Sequence, residues 1–335
     1  MKKLVLATLY FISLFAASCA TMTNPFGKKH SGLYSITDDC KCGYIDSAGK
    51  VVINPQFESC GEFEENLASV SIGEKSGFIG TDGKFAINPQ FESVGKFSDG
   101  LAMVWSGGKV GYVDKNGKYI INPQFDQASD FSEGLASVRV GEKSGFIDKD
   151  GKYVINPQFD AAGDFSEDLA SVKIGEKFGY IDKNGKIVIN PQFDYAADFK
   201  EGLAAVQTGG KSGFINNTGK YIVNPQFDSA GEFSEGLAAI AIKSGDSLKF
   251  GFVDKNGKIV VNPQFVTAGK FSDGMAWVNI GDKFGFIDTN GKYVINPQFE
   301  NAGDFTDGVS VMYSQAIDRD GKVIWKAAKP TICGD

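Results

Sequence analysis

The tetrapeptide Asn-Pro-Gln-Phe begins at Asn54, Asn88, Asn122, Asn156, Asn190, Asn224, Asn262 and Asn296, with successive copies 34 residues apart except for one gap of 38. A chain with this period is a tandem array, because each unit is a supersecondary module that completes its core only by stacking on its neighbours. The longer interval carries extra residues near Ser244-Gly245-Asp246-Ser247. An array that absorbs them without losing the period must hold them at a loop tip. A residue that recurs once per unit is there to build the unit, whereas catalysis needs one convergent site.

The segment Gly134–Gly163 reads as three short strands. Ala136, Val138 and Val140 alternate with Ser137 and Arg139, the period of two that buries one sheet face. Gly141-Glu142-Lys143 turns the chain into Gly145-Phe146-Ile147-Asp148, and Asp150-Gly151 turns it again, since Asp-Gly and Asn-Gly adopt positive φ readily. Lys152–Ile155 is a third strand, apolar on successive residues and therefore expected to be covered on both faces. Asn156-Pro157 is expected to end it, because proline lacks the N–H a ladder needs. Phe159 and Phe165 then pin a loop onto the next unit. Units open at Gly32, Asn66, Gly100, Gly134, Asp168, Gly202, Gly236, Gly274 and Gly308, and the last runs to Trp325 without an Asn-Pro-Gln-Phe. The expected fold is all-β: nine tandem three-stranded antiparallel repeats in an open twisted or superhelical stack, with a closed β-propeller as the alternative.

Lys143-Ser144-Gly145-Phe146-Ile147-Asp148, then Gly151-Lys152, then Asn156-Pro157-Gln158-Phe159, resembles the WG repeat (also KWG repeat) of bacterial surface and envelope proteins. The name-giving tryptophan is missing. Its place holds Cys42, Ser76, Val110, Ser144, Phe178, Ser212, Phe250 and Phe284. The resemblance implies an interaction module without general enzymatic activity.

Met1-Lys2-Lys3, an apolar run from Leu4 to Ala17 and Ser18-Cys19 have the layout of a secretory signal over 1–18. Ala16-Ala17-Ser18-Cys19 resembles a bacterial lipobox, with Cys19 as the lipidated residue and 19–31 as a flexible tether ahead of the array at 32–325 and a tail at 326–335. The expected address is the bacterial cell envelope, with the membrane reached only through the anchor. In an exported chain disulfides persist, and the non-recurring Cys40, Cys42 and Cys60 are candidates to staple the first unit.

The formal net charge of −7 argues against a nucleic-acid partner. The single histidine, His30, precedes the first unit, which removes histidine acid-base chemistry from the array. No catalytic residue, cofactor or metal ligand is assigned. Asp114, Asp148, Asp182, Asp254 and Asp288 stand in turns that lack the further oxygens of a calcium loop, and recurring acids such as Asp164 and Glu167 read as solvated loop residues. Specificity is expected on the water-facing position of the first strand, occupied in turn by Thr37, Ser71, Trp105, Arg139, Lys173, Gln207, Ala241, Asn279 and Tyr313, with Met103 and Trp277 adding apolar mass. The expected function is a non-enzymatic scaffold for a protein partner. One alternative is a glycan-binding module using Tyr112, Tyr119, Tyr153 and Tyr180; another is a structural spacer.

Overall fold

The computed structural model describes residues 31–329, which form nine small antiparallel sheets in sequence order. The leader, Cys19, most of the tether and Cys333 lie outside the described residues. The first sheet spans Leu33–Phe57 with three strands, and each of the other eight has four. The fourth strand is the segment read from sequence as a loop. In the unit after Phe125, the short strand Gln127–Ala128 pairs with Ala136–Val140, Gln127 opposite Arg139. It is followed by Lys143–Ile147 and Tyr153–Phe159. We refer to these as the inner, second, third and outer strands of a blade.

The sheets close into a nine-bladed β-propeller, the alternative expected from the sequence, and not the open stack. Tyr34, Ile36 and Ile45 of blade 1 share one buried cluster with Val309 and Ala316 of blade 9. The Tyr34 hydroxyl donates to the Asp307 carbonyl at 3.3 Å, and Asp39 N–H donates to the Lys329 carbonyl at 3.3 Å. No described sheet mixes strands from the two ends, so packing across a ninth seam closes the ring.

Two other expectations about the outer strand are overturned. It runs through the proline: Phe146 pairs with Ile155 and Ser144 with Phe159, with a register shift between them. Pro157 sits at this irregularity on an edge strand, where the missing donor costs no ladder bond. Nor is the strand covered on both faces, since Tyr153 and Val154 are 43% and 45% exposed. The irregularity drives the outer backbone against the third strand. A Cβ on Gly145 would lie 2.4 Å from the Ile155 carbonyl oxygen and 2.6 Å from Pro157 N, so only glycine fits before the phenylalanine.

Each of the eight seams between consecutive blades repeats one aromatic pair. Phe146 and Phe165, from blades 4 and 5, have ring centroids 4.8 Å apart, and Tyr112 with Phe131 and Tyr180 with Phe199 repeat that distance. All six rings are fully buried. Each contributes about 2 kcal/mol by burial, and each pair about 1 kcal/mol more by its tilted contact.

Candidate functional site

Both ends of the ring are tied by carboxylates. At the end bearing the hairpins between second and third strands, the acid after Asn-Pro-Gln-Phe bridges two blades. Asp160 accepts from Lys143 Nζ of its own hairpin at 2.6 Å and from Gly175 N–H of the next at 2.7 Å. Asp126 repeats this with Lys109 and Gly141, Asp194 with Lys177 and Gly209, and Asp228 with Lys211 and the Lys243 N–H. The hydrogen bonds from lysine and from the backbone hold these four carboxyls below the usual aspartate range. At the opposite end, Glu133, with φ 53°, accepts from the N–H groups of Glu167 at 2.7 Å and Asp168 at 3.0 Å. In the Asp-x-x-Gly turns there, the Asp148 carboxylate accepts from the Asp150 and Lys152 N–H groups. These turn acids are thus occupied in building the backbone.

The variable position lies beside the inner strand on the face that meets the next blade. Arg139 is opposite Gln127 on one side and Ser144 on the other, so the row neighbours the positions where the family keeps its tryptophan. Arg139 Nε donates to the Gly141 carbonyl at 3.1 Å, and Lys173 Nζ sits 5.7 Å from the Phe178 ring centroid. Gln207 is opposite Tyr195 and Ser212. Thr37, Ser71 and Trp105 are half-buried, Ala241 and Asn279 are buried, and Tyr313 is 56% exposed. Apart from Tyr313, the row is therefore set into the seams rather than standing free in water. Met103 and Trp277 occupy the position two residues earlier. Trp277 Nε1 donates to the Asp304 carboxylate of blade 9 at 3.0 Å while its ring packs on Phe284, and Met103 packs against Gly95.

Where serine and alanine face each other across the seam, a hollow remains. A cavity of about 220 Å³ between blades 4 and 5 is lined by Ser129, Ser137, Arg139, Ser144 and Ala162. The same place holds the Cys42–Cys60 disulfide between blades 1 and 2, and Phe178 beside Ala196 between blades 5 and 6. Cys40 is also disulfide-bonded.

Charges on or beside the inner strands were missed as a set. The residue before the second phenylalanine of each unit is Glu62, Lys96, Asp130, Asp164, Asp198, Glu232, Lys270 or Asp304, one per blade from 2 to 9. Burial lifts the Asp198 carboxyl to about 6, helped by the like charges of Asp164 and Glu232 on the flanking blades and opposed by Lys200. Asp164, Asp198 and Glu232 thus lie on three successive blades, near enough for each flanking carboxylate to disfavour the charge of Asp198. The signal was legible as one charge at a fixed register, but its convergence depends on closure. Of the tyrosines, Tyr112 and Tyr180 are fully buried and donate to the Ser129 and Ala197 carbonyls of the next blade. Among the described residues, no group of three or more histidine, cysteine or acidic side chains is arranged to hold a metal.

Nine contiguous blades with aromatic seams define a β-propeller repeat protein. The chain belongs to the WG containing repeat family, whose pattern matches at residues 43–75, 77–109, 111–143, 145–178, 178–211, 213–243, 250–284 and 284–312. No curated protein matches the chain by sequence. Among solved structures it is similar to Hsv2p of Kluyveromyces lactis at 10% identity and TM-score 0.45, covering 72% of this chain and 98% of that one. It is also similar to the extracellular domain of the putative one component system BT4673 of B. thetaiotaomicron, at 10% identity and TM-score 0.40, covering 80% and 43%. A third is the tricorn protease, at 12% identity and TM-score 0.27, covering 87% and 39%.

Proposed function

We propose that this protein is a non-enzymatic scaffold of the bacterial cell envelope, exported, held to a membrane through lipidated Cys19, and binding a protein partner with the hairpin end of its ring. One observation carries the reading. One cross-strand register per blade changes, from Thr37 through Trp105, Arg139, Lys173 and Gln207 to Tyr313 on the second strand and with it the residue opposite on the third, while the aromatic pairs that build the seams recur. A rigid frame that varies at one repeated register suits recognition. The acids that recur in every blade are engaged in turns and inter-blade bonds, which supports the non-enzymatic reading.

The glycan alternative keeps only Tyr119 and Tyr153 of its four rings, and these already pack edge-on against Phe91 and Phe125 of the preceding blade. The test is site-specific photo-crosslinking in the native host, with the crosslinker at Lys173 or Tyr313 and, for comparison, at the outer-strand Val188. A discrete adduct from the first two and none from Val188 supports the scaffold. No adduct from any site overturns it in favour of a spacer. The anchor is tested separately: Cys19→Ser should move the protein from the detergent phase to the aqueous phase.

A further inference from the structure

Between blades 7 and 8 three departures from the hairpin-end pattern coincide. The acid that follows Asn-Pro-Gln-Phe is replaced by Val266. Pairing of Phe250 with Phe265 puts Lys249 level with Val266, the register at which Lys41, Lys109, Lys143, Lys177, Lys211 and Lys283 each meet a carboxylate in their own blades. Among the described residues Lys249 forms no ion pair. The neighbouring backbone has adjusted: the Gly281 N–H, which the lost acid would have taken, is bound by Asn279 Oδ1 at 3.1 Å.

The second departure is length. The strands flanking the blade 7 hairpin, Leu237–Ser244 and Ser247–Asp254, have eight residues each, against five in blade 4, so this hairpin stands beyond the rim. The third is apolar exposure. Leu248 and Val266, 41% and 42% exposed, add to Ile280 at 52%, whose register is also apolar and exposed in Ile72, Val140 and Ile174, and the Val266 N–H bonds to the Asn279 carbonyl, which sets Val266 beside Ile280.

Resting on the scaffold reading, we propose that this seam docks a partner protein segment that supplies a carboxylate to Lys249 and apolar side chains to Leu248, Val266 and Ile280. The charge complementarity is specific, because the partner's carboxylate would stand where six sister blades carry their own. Lysine next to exposed apolar groups also suits an anionic lipid surface. The net charge of −7 and the exposed Asp246 and Asp282 on the two hairpin tips favour the protein segment.

The experiment pans a random peptide display library against the full chain. The expected result is a family of peptides carrying Asp or Glu next to apolar residues, whose affinity falls at least tenfold with Val266→Asp, which restores the internal acid, and with Leu248→Ser. Val140→Asp on blade 4 should leave affinity unchanged. Val266→Asp returns the seam to the pattern of its neighbours, so misfolding is not the expected cause of lost binding, and an unchanged melting temperature checks this. Peptides that bind but ignore Val266→Asp overturn the patch while leaving the scaffold standing; no enrichment removes both. Sedimentation with phosphatidylglycerol vesicles that is abolished by Val266→Asp overturns the protein segment in favour of lipid.

Discussion

The carboxylate of Glu167 accepts the backbone N–H of Gly202 in the next blade at 2.9 Å, from a residue held at φ 54°. Asp99 makes the same bond to Gly134, Glu201 to Gly236, Glu235 to Gly274 and Asp273 to Gly308. A left-handed backbone is unfavourable for glutamate, so its recurrence implies that the seam bond over-determines it.

Replacing Glu167 with alanine removes the acceptor and keeps the strain. The expected loss is about 1 kcal/mol, read as a lower denaturant midpoint at unchanged slope. Glu167→Gly relieves the strain and should fall between alanine and the native residue.

Gly145→Ala and Gly141→Ala separate two uses of glycine. The first brings a Cβ to within 2.4 Å of backbone and should cost more than about 3 kcal/mol. At Gly141, with φ 59° and no atom within 4 Å, only the backbone preference is lost, about 1 kcal/mol. Equal midpoints for the two variants would contradict the close approach of the outer strand.

The disulfide between Cys42 and Cys60, 18 residues apart in sequence, joins blades 1 and 2. The double serine variant should lose about 3 kcal/mol. A thermal melt under non-reducing conditions measures it.

Asp198 carries a carboxyl raised to about 6, so the folded state binds its proton more tightly than the unfolded chain does. Its ionisation costs stability above pH 6. The penalty fades as pH falls toward the unfolded value of about 4, and is absent below it. Asp198→Asn should therefore stabilise the ring at pH 7, by about 1 kcal/mol after solvent screening, and give no gain at pH 4. Denaturant midpoints at the two values test the sign.

The period, the turn glycines and the phenylalanine anchors were legible because each answers to local chemistry repeated in every unit. Closure was not, because it depends on a small rotation at each seam that no single residue encodes. The inner strand was hidden for a related reason: Gln127–Ala128 is two residues long and pairs with a strand beyond an intervening loop. Pro157 misled because its missing donor matters only inside a sheet, and the strand lies at the edge. At the candidate site, the variable row could be found by comparing units, whereas its burial against the next blade required the ring.

Among the described residues, each blade from 2 to 9 is one uninterrupted stretch of chain, from inner strand to outer strand. A duplication or deletion of 34 codons in register would therefore add or remove an entire blade without splitting any other. Unequal recombination between such similar segments becomes a route to rings of different size, with the terminal seam as the one joint that must be refitted.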